Sequence, residues 1–120
     1  MGSTMTNDES GSIHQVDGCA VCSPTGELDA ATVSQFREAI AEISCEPRVV
    51  IDLTAVTFID SAGLGALIGT VRRVHENGGT MTVACPRPSL TRLLEAVGFD
   101  SLVPVRNTVG AAVNATAQQQ

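Results

Sequence analysis

The chain has 120 residues, 43% of them hydrophobic and 17% charged, a size and composition that describe one globular domain rather than a disordered polymer. Thirteen acidic side chains face seven basic ones, all arginine, for a net charge of −6, which argues against a nucleic-acid backbone as partner; with three phenylalanines as the only aromatic residues there is also no platform for stacking bases. No uninterrupted apolar run approaches the ~18 residues of a membrane span, and no basic start precedes an apolar core as in a signal peptide, so a cytoplasmic protein without membrane insertion is expected.

Residues 1–11 are small, polar and acidic and are expected to form a disordered tail ahead of a single domain over 12–117. Ile13–Val16 and Cys19–Ser23 read as short strands joined by an Asp17-Gly18 hairpin turn. Pro24 ends the second strand, and Thr25-Gly26-Glu27-Leu28-Asp29 reads as a loop. Cys19 and Cys22 have the spacing of a metal or redox pair, but side chains three apart on a strand point to opposite faces. No second such pair exists, and the histidines are His14 and His75 alone. With Cys45 and Cys85 they are expected to be ordinary thiols in a reducing compartment.

From Ala31 to Ser44, Val33, Phe36, Ile40 and Ile43 recur at helical spacing. Pro47 separates this helix from Val49-Val50-Ile51-Asp52-Leu53, an apolar run suited to a strand buried on both faces. Thr54 to Thr57 read as leaving that strand. Asp60-Ser61 then open a long helix, with Leu64, Leu67, Ile68, Val71 and Val74 inward, Arg72, Arg73 and Glu76 in water, and Asn77-Gly78-Gly79 as its stop. A strand over Thr80–Cys85 follows. Pro88 suits the first position of a third helix, with Leu90, Leu93, Leu94 and Val97 inward, Gly98 left-handed after its end, and Phe99 as the apolar contact. Ser101–Val105 reads as a last short strand. Asn107-Thr108 can cap a helix carrying Val109, Ala112 and Val113, with 118–120 frayed. Strands alternating with helices predict an α/β domain: a mixed, mostly parallel sheet of about five strands, right-handed crossovers and four or so helices.

The stretch around Asp60-Ser61 is where function belongs, because a hydroxyl at a strand's carboxyl end and a helix's positive terminus sits where α/β proteins place their sites. By residue type alone Ser61 could simply cap the helix, worth ~1 kcal/mol. A nucleophilic role finds no support. The elbow motif requires glycine two residues earlier, where Ile59 stands, and His75 lies fourteen residues on, ~21 Å along a helix. No phosphate-cradling loop ending in Gly-Lys-Ser/Thr is present either, so no enzyme and no cofactor is expected. Asp29 and Asp60 could pair on a magnesium ion or form a phospho-acceptor site, but the chain has no lysine to close over a phosphoaspartate, and loop capping is the favoured reading. Gly65 and Gly69 share a helix face with Ala62 and Ala66 nearby, which allows either internal packing or close approach of a partner's backbone.

Phe58-Ile59-Asp60-Ser61-Ala62-Gly63-Leu64-Gly65 resembles the phosphorylation-site segment of bacterial anti-sigma factor antagonists, the stand-alone STAS domains. Gly26-Glu27-Leu28-Asp29 resembles the same family's loop after its second strand. Gly78-Gly79, Pro88, Leu93-Leu94 and Gly98 also fall where that family has them, and the similarity spans roughly residues 13 to 113. The resemblance implies a partner-switching protein. Its unphosphorylated form would bind an anti-sigma factor that is an ATP-dependent serine kinase and so free a sigma factor for transcription. Phosphorylation of Ser61 would release the kinase, and a phosphatase would reset the switch. Asp29, Asp60, Ser61, Ala62, Gly63, Gly65 and Gly69 would form the partner surface. Ala62 stands where the family often has a second serine, which leaves Ser61 as the acceptor. The resemblance leaves one rival, a phosphorylation-independent adaptor of a transport system or a stressosome scaffold.

Overall fold

The turn at Asp17-Gly18 has both residues at positive φ, 50° and 83°, the geometry that lets a two-residue hairpin follow strand twist. It joins β1 (Ser12–Val16) to β2 (Cys19–Ser23) antiparallel, with Val16 opposite Cys19. The computed structural model describes residues 12–118; the expected tail over 1–11 and the last two residues of the expected frayed end lie outside the described residues.

Every further pairing in the main sheet is parallel. β2 lies beside β4 (Arg48–Asp52), β4 beside β6 (Thr80–Ala84) and β6 beside β7 (Val105–Arg106), giving the order β1-β2-β4-β6-β7. The connections run through α1 (Val33–Ile43), α2 (Ser61–Glu76) and α3 (Pro88–Ala96), and α4 (Val109–Gln118) closes the chain. The expected mixed, mostly parallel five-stranded α/β domain with four helices is what forms.

Alternation along the strands divides the core in two. Cys22, Val49, Ile51 and Val83 face the larger cluster, which Phe36, Ile40, Leu67, Val71 and Leu94 complete. Cys19, Val21, Val50 and Ala84 face the other way, and α4 covers them with Ala112 and Val113. Both faces are dry, which is why β2 and β4 read as continuous apolar runs. The polar groups on the thinner side are satisfied: Thr82 Oγ1 donates to the Ala112 carbonyl and Thr116 Oγ1 to that of Val113, each at 2.7 Å.

Four expectations need correction. The Thr25–Asp29 loop and the Thr54–Thr57 exit both contribute strand: β3 (Gly26–Leu28) and β5 (Val56–Ile59) pair in parallel as a separate two-stranded sheet. They are too short to show a period, and β5 buries its two ends while exposing Thr57 and Phe58. The last strand is only Val105–Arg106, because Phe99–Ser101 winds into a 3₁₀ turn around buried Phe99. Val97 points outward at 48% exposure, since left-handed Gly98 (φ 81°) turns the chain there and leaves the inward position to Phe99. Finally, the buried stripe of α2 is rotated toward its small residues. Gly63, Ala66 and Thr70 are buried beside Leu67, Val71 and Val74, while Leu64 and Ile68 are half-buried.

All four cysteines are free; Cys19, Cys22 and Cys85 are buried and Cys45 is exposed. Cys19 and Cys22 lie in the two opposite clusters, so their spacing does not make a chelate. Burial, reinforced by the carboxylates of Glu42 and Asp52, pushes the Cys22 thiol up to about 12 from 9.0. A raised acid stays neutral in the fold while the unfolded chain ionises. The Cys22 contribution to stability is therefore complete below pH 9 and lost progressively as the pH rises toward 12. At pH 8 the folded protein should release one equivalent of chromophore from an aromatic disulfide reagent, from Cys45, and all four only after denaturation. Rapid reaction of a second thiol in the folded state contradicts this assignment.

Candidate functional site

β3 and β5 exist to bring two loops together. Leu28 is opposite Ile59 in their register, so the chain leaving β3 and the chain leaving β5 emerge side by side. Asp60 then bonds in three directions. Its amide donates to the Leu28 carbonyl at 3.2 Å, its Oδ1 accepts from the Gly63 amide at 3.0 Å, and its Oδ2 accepts from the Ala30 amide at 3.3 Å. Its extended backbone (φ −103°, ψ −171°) and the bond to the third helical residue make Asp60 the N-cap of α2.

Asp29 does similar work on the neighbouring loop. Its Oδ1 accepts from the amides of Ala31 and Thr32 at 3.0 and 3.2 Å, while Thr32 Oγ1 accepts from the Asp29 amide and donates to the Glu27 carbonyl. Both carboxylates are therefore committed to backbone amides, the capping role favoured from sequence.

Ser61 is left over from this arrangement. It is the first residue of α2, exposed, with no hydrogen bond from its hydroxyl to any of the described residues. The capping role open to Ser61 in the sequence belongs to Asp60 instead. Sequence alone does not choose between the two, because each has a backbone amide three residues on.

Gly63 and Gly65 look equivalent in sequence and are opposites in structure. Gly63 is buried, and a Cβ there would lie 2.0 Å from the Leu28 carbonyl oxygen and 2.8 Å from its carbon. Gly63 is what allows α2 to start against β3. At Gly65 and Gly69 a Cβ would meet nothing within 4 Å; Gly65 is exposed and Gly69 half-buried. Asp29, Asp60, Ser61, Ala62 and Gly63 thus converge at one point, and Gly65 and Gly69 continue down the outer side of α2. Gly65→Leu should unfold at the same temperature as the wild type or above it, since the site is open and leucine is the better helix former by roughly 0.5–1 kcal/mol. A lower melting temperature contradicts the open surface.

Two residues at the site were missed from sequence. Phe58 is 50% exposed on β5, two residues before the cap. Its place in β5 became visible only once that strand was known. Arg87 Nε donates to the Val56 carbonyl at 3.1 Å and so holds the same strand from the α3 side. No local pattern marks that contact.

The sequence pattern of the STAS domain family matches residues 12–112. The chain is 34% identical over 92 residues to an anti-sigma F factor antagonist of Paenibacillus polymyxa, covering 73% of this chain and 78% of that one. Its fold superposes on the crystal structure of an anti-sigma factor antagonist from Mycobacterium paratuberculosis with a TM-score of 0.82, at 29% identity, covering 94% and 99% of the two chains. The Bacillus cell fate determinant SpoIIAA in its phosphorylated form shares the fold at a TM-score of 0.65 and 22% identity, covering 85% of this chain and 95% of that one. A family match that spans the sheet and nearly all of the described chain, together with this identity and superposition, means that the chain belongs to the STAS domain family, among the anti-sigma factor antagonists.

Proposed function

We propose that this protein is a cytoplasmic partner-switching antagonist whose unphosphorylated form binds an anti-sigma factor serine kinase, frees a sigma factor, and is switched off by phosphorylation of Ser61. The observation that carries the reading is the Ser61 hydroxyl, exposed and unbonded among the described residues while Asp60 takes over the cap. A serine that held the helix would have to give up that bond to be modified. Ser61 gives up nothing.

The kinase supplies the chemistry. The Ser61 oxygen attacks the γ-phosphorus of the kinase's Mg-ATP, the bond to ADP breaks, and the hydroxyl proton leaves. Within the domain the product meets opposing terms. The helix terminus favours the new phosphate by ~0.3–1 kcal/mol, while Asp60, and Asp29 on the adjoining loop, repel its ~2 negative charges. The domain's own stability therefore changes little, and the consequence falls on whatever is docked over Ser61. A phosphatase then returns the serine. That the phosphorylated SpoIIAA has the same fold supports a switch that works without refolding.

The test is incubation with the candidate kinase and Mg-ATP, followed by phosphosite mapping. One phosphoryl group on Ser61, absent in Ser61→Ala, is the expected result. Phosphate on another residue, or none, favours the phosphorylation-independent adaptor. The protein alone should hydrolyse neither ATP nor esters, since no histidine lies near the Ser61 hydroxyl in sequence. Turnover that follows the protein through size exclusion and disappears in Ser61→Ala overturns that expectation.

A further inference from the structure

Three of the seven arginines, Arg37, Arg72 and Arg73, line one groove of about 260 Å³ between α1 and α2. All three are exposed, and none makes an ion pair or hydrogen bond with the described residues, although the chain carries 13 carboxylates. The rest of the lining is uncharged: Ile40, Gly65, Ala66, Gly69 and Thr70. The two glycines have empty space where a Cβ would be, and the Thr70 hydroxyl is turned away to the Ala66 carbonyl at 2.7 Å. The surface is thus low and neutral along the middle and positive along its rims, on a protein whose net charge is −6.

This combination selects for a polypeptide with carboxylates at its edges. A backbone can come close over the two glycines, while three guanidinium groups, held on two different helices, reach its flanking acids. A small anion would find no such fit, since the three positive groups surround an open trough rather than a closed pocket. The trough also begins one helical turn beyond Ser61 on the same helix, so a chain lying in it continues the surface around the switch serine.

We propose that the α1–α2 groove docks an acidic segment of the anti-sigma factor, with Arg37, Arg72 and Arg73 as its charge partners. The inference rests on the antagonist reading and adds to it the chemistry of the contact. It also explains how an acidic protein gains attraction for its partner: locally, through arginines without partners among the described residues.

The experiment uses the purified serine kinase that modifies Ser61, titrated with wild type, Ser61→Asp and a triple Arg37→Glu/Arg72→Glu/Arg73→Glu variant, each checked for native melting. A triple Arg→Gln variant serves as the milder second probe. The reversal variant should bind at least about tenfold more weakly, and its affinity should lose most of the wild type's salt dependence. Restored binding when acidic residues of the kinase are changed to arginine completes the case. Wild-type affinity and an unchanged salt slope in both triple variants overturn the groove while leaving the Ser61 switch standing. Saturable binding of inorganic pyrophosphate that the triple variants lose and that leaves kinase binding unaffected also overturns it, assigning the groove to a small anion. If no serine kinase binds the wild type at all, the antagonist reading fails and the groove assignment fails with it.

Discussion

Gly63→Ala should destabilise the protein by about 3 kcal/mol or more, lowering its melting temperature by roughly 10 °C or beyond. The added methyl would sit 2.0 Å from the Leu28 carbonyl oxygen, and the obstacle is backbone that β3–β5 pairing and the Asp60 bonds hold in place. No rotamer relieves such a contact. Either α2 moves away from β3, breaking the bonds from Asp60, or the two-stranded sheet opens. The same change two residues later has the opposite sign. Gly65→Ala fills open space in a helix and should stabilise by up to ~1 kcal/mol. Denaturant unfolding of the two variants beside wild type makes the comparison, and similar effects at both sites would show that α2 does not start against the Leu28 carbonyl.

Ser61→Asp should weaken binding to the kinase partner by about 100-fold, or ~2.7 kcal/mol, with Ser61→Ala close to wild type. Asp60 already carries a charge at this point, and its oxygens are engaged by Gly63 and Ala30, so it cannot swing away to make room for another. Ser61→Ala removes a hydroxyl that bonds to none of the described residues, and so it should melt with the wild type rather than lose the ~1 kcal/mol of a helix cap. Titration of the three forms against one kinase decides the matter. Equal affinities for Ser61→Ala and Ser61→Asp remove charge as the basis of the switch.

Long, periodic or strongly punctuated elements were legible in the sequence. The hairpin at Asp17-Gly18, the apolar face of α1 through Val33, Phe36, Ile40 and Ile43, and the Gly98-Phe99 ending of α3 all stand where residue chemistry puts them. What escaped was whatever depends on pieces far apart in the chain. β3 has three residues and β5 four; each is a strand only because the other lies beside it. The role of Gly63 is invisible without the Leu28 carbonyl above it, and by composition it cannot be told from Gly65. Ser61 shows both sides. Its position was readable from its neighbours, but its freedom depended on which of two adjacent cap-forming residues the helix used.

The β3–β5 pairing also has a kinetic meaning. Gly26–Leu28 and Val56–Ile59 are brought together across a long stretch of intervening chain, so their sheet is non-local and is formed only after the entropy of that loop closure has been met. α1 and β4 lie within the loop being closed. The surface around Ser61 therefore exists only in a chain that has closed this loop. A nascent or partly unfolded copy would present Asp29 and Asp60 on separate, unconnected segments. If the proposed switch holds, such a copy could neither occupy a partner nor be phosphorylated, and its signal would begin only once this sheet has formed.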